Sequence, residues 1–460
     1  MPCLSTCRIE FILATSQPYL YYKYRYINSL WGCMMLFRYI SIVIAVCLVL
    51  SCGGQKESNL VFTVGGAPAE IDFWEELADE FTAETGIKIT VNRQPTDTDQ
   101  RRQGLVIALK AESSDPDIFL MDVAWVAQMA ASGWLLDLEQ FGSDESFSPE
   151  LFYRNVIELA DRYNNKLIAL PVYVDGGLLY YRADLLDRFG YDDPPRTWQE
   201  LIEQAVRIQA EMQDERADFY GFIWQGAQYE GLICNFLEVA VSGGGGIVNQ
   251  SGGIEINTEA NLEALRMMRA MIADYEISPP NTYTEFTEEE VRVLFQQGKA
   301  LFERNWPYAY KLHRAENSAV RDKFAIAPLP HFEGGRSVAT LGGWHIGISR
   351  FCDLPDQALE FVRFVTSYET QKKLALNLGW NPGRRDVYDD HEVLNQLPHF
   401  AQLQEIFENA YPRPTLPYYT QVSEVMQRYL NSALAGEMTP RDALRKADEE
   451  IETIVSRYSQ

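Results

Sequence analysis

From Leu60 onward, short apolar runs alternate with stretches of helical period. Leu60 to Val64 reads as a buried strand, Gly65-Gly66-Ala67-Pro68 as its turn, and Glu70 to Thr85 as a helix. On that helix Ile71, Trp74, Leu77 and Phe81 share one face, and Gly86 is placed to end it. Ile87 to Val91 is the next strand, followed by the polar loop Thr96-Asp97-Thr98-Asp99 and a helix through Val106, Ile107 and Leu109. Asp117 to Met121 is the third strand. This β-α-β-α-β alternation predicts a parallel sheet with right-handed crossovers.

The second stretch is less regular. Ile168 to Val174 reads as a strand interrupted by Pro171, which suits a crossing point better than the middle of a sheet. Thr197 with Glu200 and Thr287 with Glu290 each have the spacing of a capping box. Ser242 to Gly246, Ile247-Val248 and Ser251-Gly252-Gly253 read as a loop and hairpin. They lack the Gly-Lys-Ser/Thr of a phosphate loop. Ala300 to Glu303, Phe324 to Ala327 and Trp344 to Ile348 are further strands. Asp356 to Thr366, Phe400 to Asn409, Tyr419 to Ala433 and Pro440 to Arg457 are helices.

Before this body comes a different pattern. Tyr39 to Leu50 is mostly apolar, with Arg38 ahead of it and Ser51-Cys52-Gly53-Gly54 behind. The run is too short to span a bilayer as a helix, which takes about 20 residues. It has the proportions of a secretory h-region. Val49-Leu50-Ser51-Cys52 resembles the bacterial lipoprotein signal, which implies acylation of Cys52 and a membrane tether, although Leu50 stands where that signal more often has a smaller residue. Residues 1–33 are aromatic and irregular and read as a non-native N-terminal extension, with 34–52 as the signal peptide.

Charge narrows the partners. Lys and Arg number 40 against 65 Asp and Glu, for a net charge of −25. Without residues 1–52 the balance is 36 against 64, which disfavours nucleic acid and anionic lipid surfaces. With 47% hydrophobic and 12% aromatic residues, the chain can still bury a sizeable core in two or more domains. Only Cys52, Cys234 and Cys352 follow the signal, so no disulfide framework is expected. The five histidines lack zinc-site spacing, and neither a metal nor a cofactor is expected.

In an open parallel sheet, ligands bind beyond the carboxyl ends of the strands. Glu70 opens the helix after the first strand, Arg101 the helix after the second, and Asp122 directly follows the third. All three belong to one edge. Each could separately be a solvated first-turn residue or a cap; together, carboxylates beside an arginine fork suit a polyhydroxylated ligand. Arg304-Asn305-Trp306-Pro307-Tyr308 and Gly342-Gly343-Trp344 then supply indoles in polar or glycine-rich settings, whereas Trp380 reads as core. A sugar needs an aromatic plane for its C–H face and hydrogen bonds at its rim.

These residues resemble the extracellular solute-binding proteins of ABC sugar importers, close to trehalose/maltose-binding proteins. The resemblance runs from about Val64 to the C-terminus. It is densest at Gly65-Gly66-Ala67-Pro68, Thr96 to Arg102, Phe119 to Trp125, Leu170 to Asp175, Arg304 to Tyr308, Leu341 to Gly347 and Pro412-Arg413-Pro414. It implies an α/β, two-lobed periplasmic-binding-protein fold with the ligand cleft between lobes, lobe I being 60–171 and 306–365 and lobe II 172–305 and 366–460. It also implies sugar contacts from Glu70, Arg101, Asp122, Tyr173, Asp175, Trp306, Tyr308, Gly343, Trp344 and Arg413.

The function so implied is that of a lipid-anchored, extracytoplasmic, monomeric protein delivering a di- or oligosaccharide to membrane permease subunits, with no covalent chemistry. A secreted glycoside hydrolase using two of Glu70, Asp122 and Asp175 is the enzyme alternative. Against it stands the nearby arginine, which is expected to hold the carboxylates ionised. A binding protein serving a surface sensor is the third reading.

Overall fold

The computed structural model describes residues 59–66, 68–141, 148–249, 251–408 and 410–458. The expectations for residues 1–33, 34–52 and Cys52 lie outside them.

The first sheet is built from β1 (Asn59–Gly65), β2 (Lys88–Gln94), β3 (Ile118–Asp122), β4 (Leu170–Gly176) and β9 (Leu341–Ile348). The second holds β5 (Leu178–Arg182), β6 (Tyr220–Ile223), β7 (Ala300–Asn305) and β8 (Phe324–Ala327). In the first sheet the order is β2-β1-β3-β9-β4, and in the second β8-β5-β7-β6. The expected β-α-β-α-β unit is present: β1 pairs parallel with both β2 and β3. The sheet as a whole is mixed, because β9 inserts antiparallel between β3 and β4. A strand arriving from more than 200 residues downstream leaves no local trace of its direction.

Helix α1 (Pro68–Thr85) starts with proline at a position whose N–H needs no partner. It buries Ile71, Trp74, Leu77 and Phe81 against β1, with Trp74 edge-on to Phe62 at 5.5 Å. Helix α2 (Thr98–Lys110) begins inside the segment expected as loop, because the Asp97 carboxylate accepts from Gln100 N and caps it. The second sheet packs on Trp198, Leu201 and Ala205 of Trp198–Glu215 and on the wholly buried α3 (Glu230–Ser242). Both expected capping boxes form, the second opening α4 (Glu288–Gln296). Val248 and Ile254 bridge as the hairpin requires. No helix among the described residues is long and apolar enough to cross a membrane.

The chain passes from one sheet to the other at Gly177, between β4 and β5, and returns between β8 and β9. Two particulars therefore differ from the expected lobe boundaries. The break at 171/172 falls inside β4, and Phe324–Ala327 pairs with β5 in the second sheet. At the crossings lies a buried ion pair. Arg304 Nε donates to Glu238 Oε2 at 2.7 Å, and both side chains are 1% exposed. Thr340 N, on the return crossing, donates to the same carboxylate at 3.1 Å. At Gly177 a Cβ would stand 2.0 Å from Glu238 Oε1 and 2.6 Å from an Arg304 nitrogen, so a side chain there would push the pair apart. Gln225 completes the cage, its amide donating to Arg304 O at 3.0 Å and its carbonyl accepting from Asn235 at 3.1 Å.

Two charges taken out of water contribute only while paired. Glu238→Ala strands the Arg304 cation and should lower stability by about 3–5 kcal/mol in chemical denaturation, whereas Glu238→Leu with Arg304→Met should recover much of that. A single variant as stable as wild type would show that the pair does not hold the crossings.

Candidate functional site

Strand register assembles the centre of the site. Trp344 on β9 lies beside Asp122 of β3 on one side and Tyr173 of β4 on the other, so three expected contact residues form one row across the sheet. The row depends on Gly343, whose φ is +127° and where a Cβ would come within 2.4 Å of Tyr173 O. A side chain there would part β9 from β4.

Arginines flank the row. The Arg101 guanidinium lies over the Trp344 ring at 4.6 Å, while its Nε donates to Pro95 O at 2.7 Å and a terminal nitrogen donates to Thr96 O at 3.1 Å. The loop before α2 thus holds Arg101 over the indole, whose other contacts include Trp125, edge-on at 5.3 Å. Asp122 is paired with Arg413 and not with Arg101: one Arg413 nitrogen lies 2.7 Å from Asp122 Oδ1, and Ala124 N donates to the same oxygen at 2.8 Å. The other terminal nitrogen of Arg413 donates to Glu230 Oε1 at 3.0 Å. Glu230 also accepts from Tyr419 at 2.7 Å and from Ser423. Burial works against the Arg413 cation, but Asp122 and Glu230 help to outweigh it and hold it charged.

Glu70, in the first turn of α1, folds over Gly66, where a Cβ would meet its carboxylate at 1.6 Å. Tyr173 is buried, with its ring 4.4 Å from that of Trp380. Desolvation first, then Glu70 and Asp175, push its hydroxyl well above the usual range. Trp380, read as core, is 8% exposed and backs this tyrosine. Asp175 accepts from Asn381 at 3.4 Å. A Cβ at Gly342 would stand 3.2 Å from the Asp175 Cβ and 2.9 Å from the Trp306 ring, which places Trp306 next to the row. Trp306 has Arg304 over its face at 4.0 Å. Tyr308 donates to Glu289 at 2.8 Å and packs on the core of the first sheet. All ten expected positions therefore fall in one connected region.

Electrostatics correct one expectation. Burial, helped by Asp122, pushes Asp175 up to about 7, and burial also raises Asp122 although Arg413 and Ala124 N–H oppose it. An adjacent arginine is therefore not enough to keep these carboxylates in the ordinary range. Asp99 is likewise pushed up to about 7, by burial and then by Glu230.

Several contributors escaped the sequence reading. Glu230 and Glu238 sit on α3 at positions that read as ordinary helical glutamates. Arg304 heads the Arg304–Tyr308 motif, directly after the strand expected at Ala300 to Glu303, and Glu288 directly follows the Thr287 cap. The weak signal available was Arg304 and Glu303 side by side in an otherwise apolar run. Among the described residues no group of three or more His, Cys, Asp or Glu could hold a metal ion.

Residues 67–372 match the family described as bacterial extracellular solute-binding protein. A probable ABC transporter-binding protein of Deinococcus radiodurans is 33% identical over 423 residues, covering 90% of this chain and 98% of that one. Among solved structures, maltose-bound MalE3 of T. maritima superposes with a TM-score of 0.80 at 36% identity, covering 86% of this chain and 99% of the other. An ABC transporter solute-binding protein of Thermotoga lettingae, bound with α-D-tagatose, gives 0.78 at 26% identity, with 86% and 99% covered. The two sheets and their helices are thus a mixed α/β periplasmic-binding-protein fold. These relatives are binding proteins and not enzymes.

Proposed function

This chain belongs to the bacterial extracellular solute-binding protein family, and from that premise we propose that it captures a neutral di- or oligosaccharide outside the cytoplasm and hands it to an ABC importer. The observation that carries the reading is the row Asp122–Trp344–Tyr173, an indole between a carboxylate and a phenol with Arg413 and Arg101 alongside. A pyranose presents the complementary arrangement: an apolar face for the indole and rim hydroxyls for charged partners. Maltose bound to the T. maritima relative supports a glucoside ligand. Glu70, Arg101, Asp122, Tyr173, Asp175, Trp306, Tyr308, Gly343, Trp344 and Arg413 are the contact set of this proposal. The two sheets are its lobes, closing about Gly177 and Thr340.

A disaccharide has about 23 non-hydrogen atoms, and at about −0.3 to −0.4 kcal/mol each the total is roughly −7 to −9 kcal/mol, near micromolar affinity. Such a complex releases its cargo readily.

The proposal extends to Cys52, whose acylation after the apolar run Tyr39 to Leu50 supplies a lipid tether. Cys52→Ala in the full chain should move the protein from the detergent-extractable membrane to the soluble fraction; equal partition would remove the tether.

Calorimetric titration with maltose, trehalose, sucrose and longer glucans tests the ligand class. At least one should bind near micromolar, and Trp344→Ala should weaken it by about 1–3 kcal/mol while the protein stays folded. The absence of binding by every sugar would overturn the reading, as would sustained glucose release that stops in Asp122→Asn.

A further inference from the structure

Thr287-Glu288-Glu289-Glu290 opens α4 with three consecutive carboxylates, which as a sequence look like interchangeable first-turn charges. The structure gives each a separate partner. Glu290 closes the capping box by accepting from Thr287 N at 3.2 Å. Glu289 accepts from the Tyr308 hydroxyl at 2.8 Å and is itself gripped by Arg292, whose terminal nitrogen donates at 2.7 Å. Glu288 accepts from the Trp306 indole Nε1 at 3.3 Å, while its backbone carbonyl accepts from the Asn305 amide at 3.3 Å. One helix turn thus reaches three positions at and just after the end of β7: Asn305, Trp306 and Tyr308.

Trp306 is therefore fixed from several directions. Arg304 covers one face at 4.0 Å, the Trp306 backbone carbonyl accepts from Tyr180 at 2.8 Å, and a Cβ at Gly342 would stand 2.9 Å from the six-membered ring. The N–H edge is governed by Glu288. A ring stacked on an indole carries its hydroxyls around its own rim, so they project past the edge of the aromatic plane. A carboxylate at that edge lies where such a hydroxyl arrives. Glu288 is half-buried and meets two donors, the Trp306 indole and the Tyr229 hydroxyl; a carboxylate has about four acceptor sites on its two oxygens, which leaves room for a further hydroxyl. Glu289 differs in that a cation, Arg292, is bound to it as an ion pair while Tyr308 donates to it.

We propose that Glu288 is a further ligand-contacting residue of the cleft: it fixes the Trp306 plane through the indole N–H and offers its carboxylate to a rim hydroxyl of the sugar stacked there. Glu289 is the positioning residue for Tyr308. The inference rests on the sugar reading above for its ligand, but its indole contact is independent of that reading.

The test uses the full chain labelled with ¹⁵N-tryptophan, with the Trp306 indole resonance assigned by its loss in Trp306→Phe. Glu288→Leu removes both the acceptor and the charge; Glu288→Gln keeps an acceptor for the indole and loses only the charge. In ligand-free protein Glu288→Leu should shift the Trp306 indole resonance and Glu288→Gln should leave it near wild type. With the tightest-binding sugar of the calorimetric series, Glu288→Leu should raise Kd at least tenfold and Glu288→Gln by several-fold. A shifted resonance with Kd within twofold of wild type would overturn the ligand contact. An unmoved resonance in Glu288→Leu would overturn the indole contact. If no sugar binds wild type although the resonance moves, the sugar reading itself fails and the ligand contact falls with it, while the indole contact stands.

Discussion

A single buried ion pair ties together the places where the chain passes between its two sheets. Arg304 and Glu238 lie where β4 runs into β5 through Gly177 and where Thr340 leads into β9. Arg304 is also the penultimate residue of the strand that delivers Trp306, and lies over that indole. Since each charge is tolerable in the interior only beside the other, the crossings hold a defined relative geometry and cannot vary independently. The proposed hinge and the proposed sugar platform therefore share one support.

The proposed cleft has a consistent plan. Each of the two key indoles has an arginine on its face, Arg101 on Trp344 and Arg304 on Trp306, and each arginine is pinned by acceptors of its own. Carboxylates then hold the remaining edges: Asp122 and Glu230 aim Arg413, while Glu288 and Glu289 aim Trp306 and Tyr308. Such preorganisation limits the rotamer freedom lost when a ligand binds, which favours affinity without adding contact area. It also explains why carboxylates as buried as Asp122 and Asp175 persist in the site. Both are half-buried, and in such surroundings a hydrogen bond from a hydroxyl donor is stronger than at the surface.

Local signals in the sequence were sufficient for local structure. The periodicity of Ile71, Trp74, Leu77 and Phe81 located α1, both capping boxes formed, and strand-edge reasoning brought Glu70, Arg101 and Asp122 to one side of the first sheet. Long-range choices were not visible. Nothing near Trp344 reveals that its strand inserts antiparallel between β3 and β4, and it is that insertion which lines Trp344 up with Asp122 and Tyr173. Arg413 and Glu230 are 183 residues apart, and Arg304 and Glu238 are 66 apart, so no periodicity could pair them. Likewise the arginine expected beside Asp122 was Arg101, the near neighbour in sequence order, whereas the fold supplies Arg413.

The central claim is that two sheet-based lobes, hinged at the Arg304–Glu238 crossings, close on a sugar. Small-angle X-ray scattering of the wild-type protein with and without a saturating concentration of its tightest-binding sugar tests this directly. The account predicts a smaller radius of gyration with sugar, with tryptophan emission changing over the same concentration range as Trp306 and Trp344 are covered. An unchanged radius at a sugar concentration that saturates binding would contradict it.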